Sequence, residues 1–120
     1  MLCIKKAIVE GILEASKNTY PNEFFALLGS KNRNEIIDEV VIVPAVFGRE
    51  HAIVRGRLPV DFRIVGSVHS HPSPDNNPSQ EDLVAFSRFG KVHFIISYPF
   101  NIGNINVVDS SGKKIEWTVV

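Results

Sequence analysis

Two histidines, His69 and His71, stand two residues apart, and a carboxylate, Asp82, follows eleven residues later. On extended backbone, alternate side chains point to the same side, so both imidazoles can face one ion. Pro72 and Pro74 stiffen the chain beyond them. Asp82, in the first turn of the helix expected next, can swing its carboxylate toward the same point. Two nitrogens and one oxygen leave a tetrahedral zinc ion with one position for water, the catalytic rather than the structural arrangement. Water held in this way ionises near pH ~7. Hydrolysis then needs a group beside the metal, but not on it, that takes a proton and hands it to a leaving amine. Glu23 is the candidate, because a glutamate abutting the apolar run Phe24 to Leu28 is awkward to bury without a purpose.

Each piece also has a bland reading. A lone His-x-His is common by chance. Ser79-Gln80-Glu81-Asp82 matches a helix capping box, in which the serine caps the Asp82 amide and the aspartate reaches back. Taken alone, that pattern favours capping. A single glutamate at a strand edge usually turns to water. His51 and His93 have no partners at useful spacing and read as structural or exposed. Other metal motifs are excluded: there is no His-Glu-x-x-His, and without Pro-Cys-x-x-Cys a deaminase site lacks its ligands. Two histidines and a carboxylate also suit iron(II) and oxygen chemistry, but that reading leaves Glu23 and Ser79 without roles.

The elements that must position these residues follow from pattern. Ile4, Ala7, Ile8, Ile12 and Ala15 fall on one face of a first helix, which also takes in Cys3 as a small buried residue; Asn18 to Asn22 break it. Phe24 to Leu28 reads as a strand buried on both faces. Ile36 to Val43 is a second β-branched run stopped by Pro44, and His51 to Arg57 is a weaker one. Phe62 to Val68 is a strand leading directly into the two histidines. Residues 72–78, with their prolines and asparagines, are neither helix nor central strand, and Asp75-Asn76-Asn77 reads as flexible. Ser79 opens a helix over Gln80 to Phe89, with Gly90 placed to end it. Val92 to Ser97 is a strand. Asn104 to Asp109 and Lys114 to Val120, around Ser110-Ser111-Gly112, read as a terminal hairpin. The sum is an α/β fold with a mixed sheet and a helix on either side.

With 120 residues the chain is one ordinary domain, expected to span 1–120. Its 44% apolar and 22% charged residues are a globular composition. Lys plus Arg balances Asp plus Glu at 13 each, so nothing points to nucleic acid or anionic lipid. Cys3 is the only cysteine, which rules out an internal disulfide and a Cys-rich zinc site and fits a reducing compartment. No apolar run approaches the ~20 residues of a membrane span, and the charged N-terminus is not a secretory signal. The expectation is a cytoplasmic protein.

Together these residues resemble the JAMM, or MPN-plus, metalloprotease motif. That pattern is a glutamate at the start of an early strand, His-Ser/Thr-His-Pro, six residues, then Ser-x-x-Asp. Here it reads Glu23, His69-Ser70-His71-Pro72, six residues from Ser73 to Pro78, and Ser79-Gln80-Glu81-Asp82. Leu27-Leu28-Gly29 resembles the family's strand ending in glycine, and the order of elements fits nearly the whole chain.

The resemblance implies one zinc ion per chain on His69, His71 and Asp82. It implies Glu23 as general base and acid, Ser79 as donor to the tetrahedral oxyanion, and a fold like that of cytidine deaminases. It also implies cleavage of the peptide or isopeptide bond after the C-terminal glycine of a ubiquitin-like protein. Phe24-Phe25-Ala26 stands where many relatives carry a cysteine and a glycine, which changes packing beside the site and leaves the ligands intact. The chain lacks the insertions by which larger members grip one ubiquitin linkage. A sulfur-carrier protein, which also presents a glycine-ended tail, is therefore an alternative substrate. A non-catalytic scaffold of the same fold is a further alternative, although such modules usually lose a ligand. For docking, an extended tail often joins a sheet edge, and His51 to Arg57, with Arg49, Arg55 and Arg57, is polar enough to be one. The same arginines can instead protect that edge from aggregation. Oligomeric state is not legible.

Overall fold

Strand β1 (Leu2–Ile4) and helix α1 (Lys6–Thr19) divide the stretch that helical periodicity assigns to one helix. The computed structural model describes residues 1–31, 36–42 and 62–120, so the proposed edge at His51 to Arg57 lies outside the described residues. β1 is the centre of a three-stranded sheet, with β3 (Ile36–Ile37) and β8 (Trp117–Val119) both parallel to it. These pairings hold Cys3 and Ile4 extended, so Cys3 is a half-buried strand residue rather than a helical one. The helix that follows buries Val9, Ile12 and Ser16, while Ala7 is exposed. Its stripe is therefore rotated from the face expected when Ile4 is counted in.

The larger sheet has the order β4-β2-β5-β6-β7. Its strands are β2 (Phe25–Gly29), β4 (Glu39–Ile42), β5 (Ile64–His71), β6 (Val92–Ser97) and β7 (Ile105–Asp109). β5 and β6 are parallel; the other three pairings are antiparallel. The β-branched run beginning at Ile36 is thus two strands, split at Asp38 and given to different sheets. Asp38 makes the switch by donating its N–H to the Gly29 carbonyl and accepting the Lys31 N–H on its side chain. The terminal hairpin is also only begun. Asp109 N–H reaches the Lys113 carbonyl and Ile115 N–H reaches Val107, and then the chain leaves to pair with β1.

Parallel neighbours cannot be joined by a tight turn and need a crossover. Between β5 and β6 the crossover is α2 (Gln80–Phe86). It ends one turn earlier than the sequence pattern suggests. Gly90 then takes φ +92°, where a Cβ would overlap the Val65 carbonyl, so no other residue fits that turn.

The two faces of this sheet differ in chemistry. Toward α1, Ala26, Leu28, Val68, Phe94, Ile96 and Val107 form the main core with Ile4, Val9 and Ile12. Toward α2, Phe86, Ile95 and Val108, with Leu83 against them, form a smaller cluster. Alternation along β5 and β6 sends Ser67, His69, His71 and His93 to this second face. Buried or half-buried polar groups in such number are more informative than buried apolar ones, and His69 and His71 lie at the end of β5, close to Asp82 in the first turn of α2.

Candidate metal centre

β5 runs through both histidines, so the strand itself aims them. His69 is buried and His71 half-buried. Their Nε2 atoms are 3.0 Å apart, and Asp82 Oδ2 lies 3.2 Å from each. The His71 ring is oriented from behind, where Nδ1–H donates to the Asp75 carbonyl at 2.8 Å. This fixes the tautomer and leaves Nε2 with a lone pair toward its neighbours. The segment Asp75-Asn76-Asn77, expected to be flexible, is tied down. Asn76 Nδ2 donates to the Asn104 carbonyl, Asn106 Nδ2 donates to the Asn76 carbonyl, and Asn77 N–H reaches the Asp75 carboxylate.

Ser79 and Asp82 do form the capping box. Asp82 N–H donates to Ser79 Oγ at 3.1 Å, and Ser79 N–H donates to Asp82 Oδ2 at 2.8 Å. The oxygen that completes the cap is the same one that faces the histidines. Capping and a carboxylate aimed at both histidines are therefore one arrangement here, because the box is what holds the carboxylate over β5. A second anchor lies one turn on, where Phe86 stacks on His93 with ring centroids 4.0 Å apart and planes 4° apart. Asp82 and Phe86 share a helix face, so this stack sets the rotation of α2.

His93 is fully buried and structural. Ser110 Oγ donates to the Gly90 carbonyl and so accepts from His93 Nε2–H, while His93 Nδ1 accepts from the Ser67 hydroxyl at 2.8 Å. Burial pushes its pKa down to about 4, and it is neutral at pH 7.

The electrostatics of the triangle favour a cation. Burial alone would raise the Asp82 carboxyl; hydrogen bonds from His69 and His71, donated from Nε2 when the rings are protonated, outweigh it and hold the group well below the usual carboxylate range. The Asp82 hydrogen bond likewise lifts His71, against burial, with further help from the Asp75 carbonyl and the Glu23 charge. One proton can bridge only one pair among three acceptors that all face each other. An ion at the centre satisfies all three. Donors on a tetrahedral zinc ion, bonded at about 2.0–2.2 Å, are roughly 3.3 Å apart, close to the 3.0–3.2 Å found. The donor set therefore fits zinc.

Glu23 lies two residues before β2, the strand next to β5. β2 pairs with β5 so that Phe25 is opposite His69, and Ser70 N–H donating to the Phe24 carbonyl carries the ladder one step further. Glu23 immediately precedes that last rung, and His71 immediately follows it. It is exposed, it acts on His71 through its charge, and it is not a member of the three-donor cluster. Sequence reasoning missed Asp75, whose backbone carbonyl carries no side-chain signature, and the Ser67–His93–Ser110 chain.

Solved JAB1/MPN-domain proteins share this fold. The chain superposes on a crystal structure of one such protein from Archaeoglobus fulgidus with a TM-score of 0.80 and 37% identity, covering 100% of this chain and 99% of that one. A solved JAMM protein, described as a metalloprotease-like zinc site in the proteasome and signalosome, gives a TM-score of 0.79 at 34% identity, covering 100% and 98%. A probable metalloprotease of Haloferax volcanii is 38% identical over 111 aligned residues, 84% of this chain and 68% of the relative. Residues 5–110 match the family model for prokaryotic homologues of the JAB domain. The chain belongs to this family, Prok-JAB. Among the described residues no helix is long and apolar enough to cross a membrane.

Proposed function

We propose that the protein is a zinc-dependent hydrolase of the peptide or isopeptide bond after the C-terminal glycine of a ubiquitin-like protein, with one zinc ion per chain. The observation that carries this reading is the convergence of His69 Nε2, His71 Nε2 and Asp82 Oδ2, with Glu23 outside their cluster and acting on His71 through its charge. That division, three ligands and one free base, is what metal-assisted hydrolysis requires. The metalloprotease relative and the zinc-site neighbour support the same chemistry.

Bound at the triangle, zinc supplies Lewis acidity, which makes water a nucleophile at neutral pH and polarises a carbonyl. Glu23 takes the proton from the attacking water and later gives it to the departing amine. Its exposure suits that task, since it must meet both water and substrate. Ser79 steadies the oxyanion. Its Oγ spends a lone pair on the Asp82 N–H, and its own O–H is still free to donate. Asp75 and the capping box keep the ligands aimed throughout.

Elemental analysis of the purified protein, paired with turnover of a ubiquitin-like domain fused through its glycine-ended tail to a reporter, tests the reading. About one zinc per chain and chelator-sensitive cleavage after the glycine are expected. Iron in place of zinc, or zinc-loaded protein that leaves such fusions intact, would sink it. A sulfur-carrier protein in the same assay separates the two substrate classes.

Ser79→Ala separates its two roles. Loss of the cap is expected to cost about 1 kcal/mol of stability. Loss of the oxyanion donor is expected to lower kcat by roughly 10²-fold in the folded variant. Near-normal kcat with lowered thermal stability would leave Ser79 as a cap only.

A further inference from the structure

Ser70 sits between the two histidines and faces away from them. Alternation puts the imidazoles on the α2 side of the sheet and Ser70 on the α1 side, with Val68 before it and Ile96 beside it on β6. It is 1% exposed there. A hydroxyl buried among apolar groups carries a desolvation cost unless it is hydrogen-bonded. Its partner is the Phe24 N–H, which donates to Ser70 Oγ at 2.8 Å, while Ser70 N–H donates to the Phe24 carbonyl at 3.0 Å.

In a regular antiparallel ladder, the two residues of a hydrogen-bonded pair exchange two backbone bonds. Here a side-chain oxygen takes the place of one carbonyl, and β2 begins only at Phe25. The Phe24 N–H belongs to the planar peptide group that starts at the Glu23 Cα. Holding that plane sets the direction in which Glu23 leaves the backbone. Glu23 is exposed and needs such a hold from its backbone.

We propose that Ser70 is a positioning residue for Glu23: by accepting the Phe24 N–H, its hydroxyl fixes where the Glu23 carboxylate stands beside the donor triangle. This inference rests on the reading of Glu23 as the proton carrier. A proton carrier works only within hydrogen-bond reach of its partner, so a loosened peptide plane lowers kcat and leaves substrate binding alone. The metal ligands sit on the other face of β5 and keep their geometry.

The test compares wild type, Ser70→Ala, Ser70→Thr and Glu23→Gln on parallel preparations. The readouts are zinc per chain, kcat and KM on the ubiquitin-like fusion, and amide hydrogen exchange at Phe24 by NMR. Ser70→Ala is expected to keep its zinc and KM and to lose about 10-fold in kcat. Exchange at Phe24 should accelerate by about 10-fold or more as the buried amide loses its acceptor. Ser70→Thr, which keeps the hydroxyl, should restore both. If Ser70→Ala does not fold, Ser70→Cys, a much weaker acceptor, carries the same expectations. Wild-type kcat in Ser70→Ala beside an inactive Glu23→Gln overturns the positioning role alone. So does a loss of kcat with Phe24 exchange unchanged, or a loss of zinc. Full turnover by Glu23→Gln overturns the proton-carrier reading and this inference with it, and that variant's own measurement tells the two failures apart.

Discussion

Glu23→Gln is expected to hold as much zinc as wild type and to hydrolyse a ubiquitin-like fusion more slowly by a factor of roughly 10²–10⁴. The amide keeps the size and shape of the carboxylate but cannot accept a proton at neutral pH. Zinc should stay because Glu23 is outside the cluster formed by His69, His71 and Asp82. It acts on that cluster through charge, as part of the upward push on His71. Removing the charge lets the His71 pKa fall slightly, which reduces competition between protons and metal and works against zinc loss. The substrate tail should still bind. Zinc per chain and turnover must come from the same preparation, since only retained metal with lost turnover fits a proton carrier. Loss of both would make Glu23 a ligand or a folding residue, and an unaffected rate would remove it from the chemistry.

The site was more legible in the sequence than the fold around it, and the reason is locality. His69 and His71 are paired by strand alternation, and Ser79 with Asp82 by the first turn of a helix, so short-range periodicity was enough to bring each pair together. The crossover from β5 through α2 to β6 then joined the pairs. Glu23 needed the β2–β5 register, which no local pattern encodes; the motif as a whole supplied it. What failed was long-range and short in extent. β1, β3 and β8 have two or three residues each and pair in parallel across the whole length of the chain. Runs so brief show no period of their own. By pattern Ile4 therefore merges with the helix beside it, Ile36-Ile37 with the strand after it, and Trp117 to Val119 with a hairpin that the structure only begins. Residues 75–77 look unstructured by composition. They are held by carbonyls and amides of residues 104 and 106 and by the ring of His71, and the site uses the Asp75 carbonyl without regard to its side chain.

Asp82→Asn is expected to have the opposite signature to Glu23→Gln. Asp82 Oδ2 accepts the Ser79 N–H at 2.8 Å and faces both imidazole Nε2 atoms at 3.2 Å. Asparagine keeps an oxygen that can accept the Ser79 N–H, so α2 stays capped and the protein stays folded. What it loses is the negative charge. The wild-type carboxyl is held well below the usual carboxylate range by His69 and His71, against burial, and is an anion wherever those rings are free to bind a metal. Changing a group that merely orients a ligand typically costs 10–100-fold in metal affinity. Replacing an anionic ligand by a neutral one should cost roughly 10²-fold or more. Zinc affinity by chelator competition at fixed neutral pH reads this directly, and hydrolysis at limiting zinc should fall in step with occupancy. Asp82→Ala also removes the bond from the Ser79 N–H, one half of the capping box, while Ser79 Oγ still caps the backbone N–H of residue 82, so a modest further loss of stability should go with it. The difference between the two variants in unfolding therefore measures that half of the capping box, while their shared loss of zinc measures the ligand. His69→Ala should lose zinc without touching the cap. Zinc affinity within a few-fold of wild type in Asp82→Asn would return Asp82 to the helix end and leave two histidines as the only protein ligands.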